Sequence, residues 1–540
     1  MPLLPVRQLG SAGVLTDLDP FNLPFNGFTR AKNVRFTQEG NVERSPIFRD
    51  ISGSLTLDGN PAHITGVFGG SAGYDTLTVV TDLYHVYTFS NGTLTSNVDF
   101  GASASAVPFT TTTLADVQYI NRPDRVPVFL APGGTTFANL TNWDANHRCN
   151  SLRSYGDFLV ALNMTEGSTE FPNRVRFSDI ALANSVPSSW DATDATKSAG
   201  FNDLVQMNTP IVDGETLGTN FVIYSSDQVY NMEFVGGTFI FNFRKLFDDC
   251  GVINQNCVVE VEGRHYVFDN DDIYVHDGNT RQSISDQRVR DYIFSGLDSS
   301  KTEACFVHHN ALLEEIYFCY HTGDDMVTMP DASHCNRAAV YNYRANTWSF
   351  VDLPNVVSGT TANVNTVATY ATATTTYAST GGSYHDQESN YARHNVFFSK
   401  SLSGSLSSDK LLAMDGATVG AIQAPIDTSA TQSIFLERVG IDLDQEAGSP
   451  LSGYKVLKAF YPQITTSDSD SEVTFTFGSA DLPSGIPSYG TAVTYDMSTD
   501  HKVDTRASGR YLSYKLTDDT SNKDFKFSGM DVDVVVTGRR

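Results

Sequence analysis

Along most of the chain, apolar and polar positions alternate in short runs bounded by Gly, Asn, Asp and Ser. A period of two is the signature of half-buried β-strands. Thr, Val, Tyr and Phe fill these runs, and such side chains suit a pleated surface. Sustained helical periodicity and long Ala/Leu/Glu/Lys stretches are missing. The fold class predicted is all-β.

One unit recurs: a strand, a tight polar turn, and a second strand rich in aromatics. Residues 83–95 (LYHVYTFSNGTLT) carry Asn91-Gly92, a type I′ hairpin signal. The same unit is read at 221–237 (FVIYSSDQVYNMEFVGG), 265–280 (HYVFDNDDIYVHDGNT) and 397–416 (FFSKSLSGSLSSDKLLAMDG). It also appears across 315–320 (EIYFCY) with 339–350 (AVYNYRANTWSF), and more weakly at 115–134 and 152–178. A spacing of roughly 40–60 residues is the period of β-propeller blades, which bury their faces only by stacking on one another. The expected architecture is a propeller of six or seven blades. The competing arrangement is two separate sandwiches built of the same hairpins.

Two segments depart from this rhythm. Residues 358–382 are small and polar without a charge and read as an inserted loop. From about 429 the strands lengthen: 433–444, 454–464, 473–479, 511–516 and 530–537 alternate like an antiparallel β-sandwich. The expected organisation is an N-terminal extended arm with the first strands (1–60), a propeller-like domain (61–428) and a C-terminal sandwich (429–540).

Length and charge narrow the function. The 540 residues are 40% hydrophobic and 18% charged, enough for large cores and too apolar for overall disorder. The formal net charge is −26, which argues against a nucleic-acid clamp and against docking on anionic lipid. No window of 18 apolar residues predicts a membrane span, and the first residues do not read as a secretion signal. The six cysteines form no CxxC and are expected to be buried and reduced.

Catalytic and metal motifs are weak. Residues 69–73 (GGSAG) match G-x-S-x-G, but a strand follows Ser71 where a nucleophile elbow needs a helix. Cys305, His308, His309, Cys319, His334 and Cys335 match no zinc spacing. Asp269, Asp271, Asp272 and Asp277 cluster in one hairpin, but Ile273 and Tyr274 stand where a calcium loop needs a ligand and a glycine. Asp468, Asp470 and Glu472 read as a solvated turn. No catalytic residue, metal ligand or cofactor site is assigned.

The two ends carry the sharpest motifs. Near the start stand Thr16, Asp17, Asp19, Pro20, Leu23 and Pro24 (TDxDPxxLP), then Asn33, Val34, Arg35, Phe36, Gly40 and Arg44. Near the end stand Lys502, Val503, Asp504, Arg506, Ser508, Gly509, Arg510 and Tyr511 (KVDxRxSGRY). Phe527, Ser528, Gly529, Asp531 and Asp533 follow (FSGxDxDV), with Arg539 and Arg540 closing the chain. Residues 175–190 (VRFSDIALANSVPSSW) form a third patch.

These three patches, about a fifth of the chain, resemble the tail nozzle (tail hub, tail tubular B-like) proteins of short-tailed bacteriophages. The resemblance implies a structural virion protein, not an enzyme. It implies a homohexameric ring docked on the adaptor ring of the head-to-tail connector, anchoring tail fibres or spikes and passing genomic DNA during ejection. It places the protein in the virion tail, and in the host cytoplasm during assembly. An acidic lumen suits such a conduit, because it repels phosphate and lets DNA slide. The partner-contact candidates are Asp17, Asp19, Pro20, Asn33, Arg35, Asp504, Arg506, Gly509, Arg510 and Arg540. The alternatives are a glycan-binding or glycan-cleaving propeller acting as a receptor-binding tail protein, and a bacterial interaction propeller.

Overall fold

The computed structural model describes residues 3–52, 55–67, 76–90, 93–105, 107–237, 239–324, 326–362, 394–403, 405–414, 433–443, 453–466, 471–518 and 525–538. The protein is nearly all β, built of many small antiparallel sheets, as the alternating pattern dictates. The helices among the described residues are short, Arg290–Gly296 and the 3₁₀ segment Ser299–Ala304. No helix among them is long and apolar enough to cross a membrane.

Five four-stranded sheets follow one another along the chain, each a meander. The first holds Pro61–Val67, Thr76–Thr81, His85–Ser90 and Thr93–Asp99; the second runs from Thr110–Leu114 to Ala138–Asn139. The third runs from His147–Tyr155 to Gly200–Asp203, the fourth from Ile211–Leu217 to Phe241–Asp248, and the fifth from Val258–Val261 to Arg281–Ser283. A seven-stranded sheet follows: Phe306–Asn310, Glu315–Tyr320, Cys335–Asn342, Thr347–Ala362, His394–Ser399, Lys410–Met414 and, from the N-terminus, Phe48–Asp50.

Neighbouring sheets share apolar cores, and this sharing orders them. Val80 and Val86 pack with Ile120; Leu114 and Tyr119 with Leu152; Val160 and Leu162 with Phe221. Tyr224 packs with Val267, and the Phe268 ring lies 5.9 Å from Phe318. Within the seven-stranded sheet, Tyr317 packs with Phe397. Val396 and Phe398 then share a core with Ile64 and Val79 of the first sheet, so the last contact returns to the beginning.

Thr347–Ala362 connects the two halves of the seven-stranded sheet. Thr347 to Asp352 pair with Arg337 to Asn342, and Ser358 to Ala362 pair with His394 to Phe398. Between them Asn355 has φ 51°, and register shifts mark bulges on both partners. The loop expected from residue 358 therefore does not start there: 358–362 continue the strand, held by the apolar strand that begins at His394. Residues 363–393, most of that expected loop, lie outside the described residues, as do Asn91-Gly92 and the GGSAG segment.

A short parallel pair, Gly13–Val14 with Gly27–Phe28, and two six-stranded sheets hold the remaining described strands. One contains Val503–Gly509, Tyr454–Thr465 and Lys526–Gly538; the other contains Glu472–Ala480, Tyr511–Asp518 and Ile434–Ile441. They face each other through aromatic rings, with Phe460 lying 5.1 Å from Phe475 and 5.2 Å from Phe477. N-terminal strands join both. Leu4–Arg7, Val34–Phe36 and Val42–Arg44 belong to the first sheet, and Arg30–Lys32 pairs with Ile434–Ile441 in the second.

Within the N-terminal segment Leu4–Arg7 is a strand, but the stretch around Pro20 and Pro24, expected to be extended, runs through turns. Pro20, with its fixed φ, occupies the second position of a turn closed by Asn22 N–H donating to the Asp19 carbonyl at 2.8 Å. The Asp19 carboxylate accepts from Phe21 N–H at 2.9 Å and locks the same turn.

Candidate functional site

The N-terminal motif residues sit where that segment meets the rest of the chain. The Asp17 carboxylate accepts from the backbone N–H groups of Asp291 (2.9 Å) and Tyr292 (3.2 Å), at the start of the short helix. A carboxylate there satisfies donors that have no partner inside the helix. The carbonyls of Pro20 and Leu23 accept from Arg438 Nη1 and Nη2, each at 2.9 Å. Arg438 is 2% exposed and has no carboxylate partner among the described residues. Burial without a counter-charge holds its pKa down at about 10.

Asn33 adopts φ 56° and ties two bodies together. Its Nδ2 donates to the Ser433 carbonyl at 2.8 Å, and its Oδ1 accepts from Asp352 N–H at 2.9 Å. Arg35 lies 2.9 Å from the buried Glu315 and 3.2 Å from Glu43. Burial would lower the Arg35 pKa, but the two carboxylates outweigh it and the guanidinium stays above its usual value. Arg44 and Asp518 form a buried pair at 3.0 Å. Asp17, Asn33, Arg35 and the Pro20 carbonyl are therefore all engaged within the chain.

The C-terminal motif is placed differently. Val503–Gly509 is the outer strand of its sheet, with Asp504 and Arg506 exposed. Asp504 pairs with Lys502 at 3.0 Å, whereas Arg506 makes no side-chain bond among the described residues. Gly509 is needed for close approach, since a Cβ there would sit 2.6 Å from Ser479 Cβ. The Arg510 guanidinium lies 5.6 Å over the Tyr454 ring, and its carbonyl accepts from Lys455 Nζ at 2.8 Å. An open groove lined by Lys458, Tyr489, Thr491, Asp504 and Arg506 runs beside this strand. Arg539 and Arg540 lie outside the described residues.

The third patch is internal to the third sheet and its flank. Arg176 binds Glu166 at 2.8 Å and donates to the Trp190 carbonyl at 2.6 Å, and Trp190 packs edge-on against Trp143 at 4.6 Å.

All six cysteines are free and buried, and burial pushes the thiols of Cys305, Cys319 and Cys335 up. The hairpin acids serve separate local roles. Asp269 accepts from Gly251 N–H, Asp272 from the Ser283 and Ser285 hydroxyls, and Asp277 from Thr280 N–H, while Asp271 pairs with Arg290. Asp468 and Asp470 lie outside the described residues. Asp58, His85 and Asp99 do come within metal-ligating distance of one another. His85 is nevertheless stacked on Tyr87 and within 2.8 Å of Ser96, and Asp99 accepts from Gly101 N–H.

Sequence reasoning missed Arg438. The available signal was Glu437-Arg438 in the middle of an otherwise apolar strand, since a buried charge demands specific partners. No protein-family model matches the chain, and no curated protein matches it.

Proposed function

We propose that the chain is the tail nozzle subunit of a short-tailed phage: a structural, non-enzymatic protein acting as a homohexamer docked on the adaptor ring. The observation that carries this reading is the interlacing of the two motif-bearing ends. Leu4 pairs with Val532, Val42 with Phe527 and Lys32 with Phe435, so both runs that resemble the nozzle family build one two-sheet body. That body presents an unpaired edge strand, Val503–Gly509, with Arg506 open to a neighbouring subunit or the adaptor.

We read the five four-stranded sheets and the two halves of the seven-stranded sheet as seven blades of a propeller. The shared core between Val396 and Ile64, which links last to first, supports this. The net charge of −26 supports an acidic channel through which DNA slides during ejection, with fibres or spikes on the outer face. Light scattering on the purified protein, alone and with a cognate adaptor, tests the assembly. Six copies per particle are expected; a particle of any other copy number in both preparations overturns it.

A further inference from the structure

The first strands of successive sheets border an open cavity of about 580 Å³, lined by His63, Thr111, Arg153, Gln255, Phe306 and Thr360 among others. This is the size range of small-molecule sites. Its middle is self-sufficient. Arg153 lies 2.5 Å from Asp213, donates to Asn256 Oδ1 at 2.9 Å and to the Thr111 carbonyl at 3.1 Å.

Other groups on the wall are not. Gln255 is only 6% exposed, yet its amide makes no hydrogen bond among the described residues. The amide borders the open cavity, where water or a ligand can satisfy it. The Glu215 carboxyl receives one bond, from Thr216 N–H at 3.0 Å, and burial raises its pKa. Gln255 and Glu215 thus offer both kinds of hydrogen bond, which is what a hydroxyl group matches.

The rim adds positive charge in a chain that is acidic overall. Asn355 fastens His334 and Lys400 side by side: its Oδ1 accepts from His334 N–H at 2.9 Å, and its Nδ2 donates to the Lys400 carbonyl at 2.9 Å. Lys301 approaches the same place, donating to the Ala332 carbonyl at 2.8 Å. Burial, with Lys400 and Lys301 nearby, holds His334 down at about 4. Lys301 has Asp298 at 3.7 Å, whereas the Lys400 ammonium has no partner among the described residues.

We propose that the cavity binds a small, hydroxyl-rich anion such as a sugar acid or sugar phosphate. The anionic group lies against Lys400, and the hydroxyls lie on Gln255 and Glu215. The proposal does not depend on the nozzle reading, since it rests only on the cavity wall of the single chain.

Calorimetric titration of the full chain tests it, with glucuronate and glucose 6-phosphate as charged probes, glucose as the neutral control and inorganic phosphate as the bare anion. At least one charged sugar is expected to bind about tenfold or more tighter than both glucose and phosphate. Lys400→Ala, at a partly exposed side chain and therefore compatible with folding, is expected to weaken that probe about tenfold while leaving glucose unchanged. Gln255→Ala is expected to weaken charged and neutral sugars alike, with the melting temperature of each variant as the folding control. Absence of binding by both charged sugars at tens of millimolar overturns the proposal. So does phosphate binding as tightly as the sugars, or unchanged affinity in folded Lys400→Ala.

Discussion

Arg44 Nη1 lies 3.0 Å from Asp518 Oδ2, and both side chains are almost fully buried although 474 residues separate them in the chain. The pair sits where the N-terminal strands enter the C-terminal sheets. Removing one partner takes a close counter-charge from the other buried group. Arg44→Ala is expected to cost about 3–5 kcal/mol, and replacing both residues by apolar ones of similar size to recover most of it. A double-mutant cycle on denaturant unfolding measures this.

Arg438 holds the turn series at residues 16–26 by the carbonyls of Pro20 and Leu23, with no carboxylate beside it among the described residues. Arg438→Ala is expected to expose that segment to limited proteolysis while the remainder stays resistant. Arg438→Lys should protect only partially, because an ammonium lacks the two-pronged reach of a guanidinium. Equal protection of wild type and Arg438→Ala would show that the turns hold themselves.

A buried relay links the fourth and fifth sheets. The Tyr224 hydroxyl lies 2.6 Å from both His265 Nδ1 and His276 Nε2. His276 Nδ1 accepts from Gly278 N–H, so its proton is on Nε2, facing Tyr224. His265 Nε2 donates to the Thr216 carbonyl, so its Nδ1 accepts from Tyr224. Burial holds His265 at about 4 and His276 at about 3, while unfolded histidine titrates near 6.5. Below about pH 6.5 the unfolded chain takes up protons that the folded chain refuses, so stability falls as pH drops towards the folded values. His63 (about 3) and His308 (about 4) act in the same direction. Melting temperature is expected to fall steadily from pH 7 to pH 4. Tyr224→Phe should cost about 1–3 kcal/mol at neutral pH, by stranding a donor and an acceptor.

Gly66 marks the contact between the first sheet and the strand Thr347–Ala362. Its N–H donates to Thr360 Oγ1 at 3.0 Å, and a Cβ there would fall 2.2 Å from the Thr361 carbonyl oxygen. Gly66→Val is expected to destabilise by about 1–3 kcal/mol through overpacking. Gly323→Ala, which meets nothing within 4 Å, should leave the melting temperature close to wild type.

The sequence was most informative where a strand finds its partner nearby. Glu315–Tyr320 occupies the run predicted for it, and the 83–95 hairpin reappears with Ser90 opposite Thr93. Alternation reveals a strand and its buried face, but not its partner. That is why the pairing of Val42 with Phe527, across almost the whole chain, could not be read. The 358–362 segment misled for a related reason: its small polar composition signals a loop, while its order comes from the strand beginning at His394. The cavity wall was equally hidden, since Gln255 and Lys400 belong to no motif and meet only through the sheets around them.

The proposed function stands on a six-membered assembly. A reconstruction of the purified particle by electron microscopy tests it most directly. The account predicts six identical copies around a central opening whose wall is predominantly Asp and Glu. A particle without sixfold symmetry, or an opening lined by Arg and Lys, would contradict it.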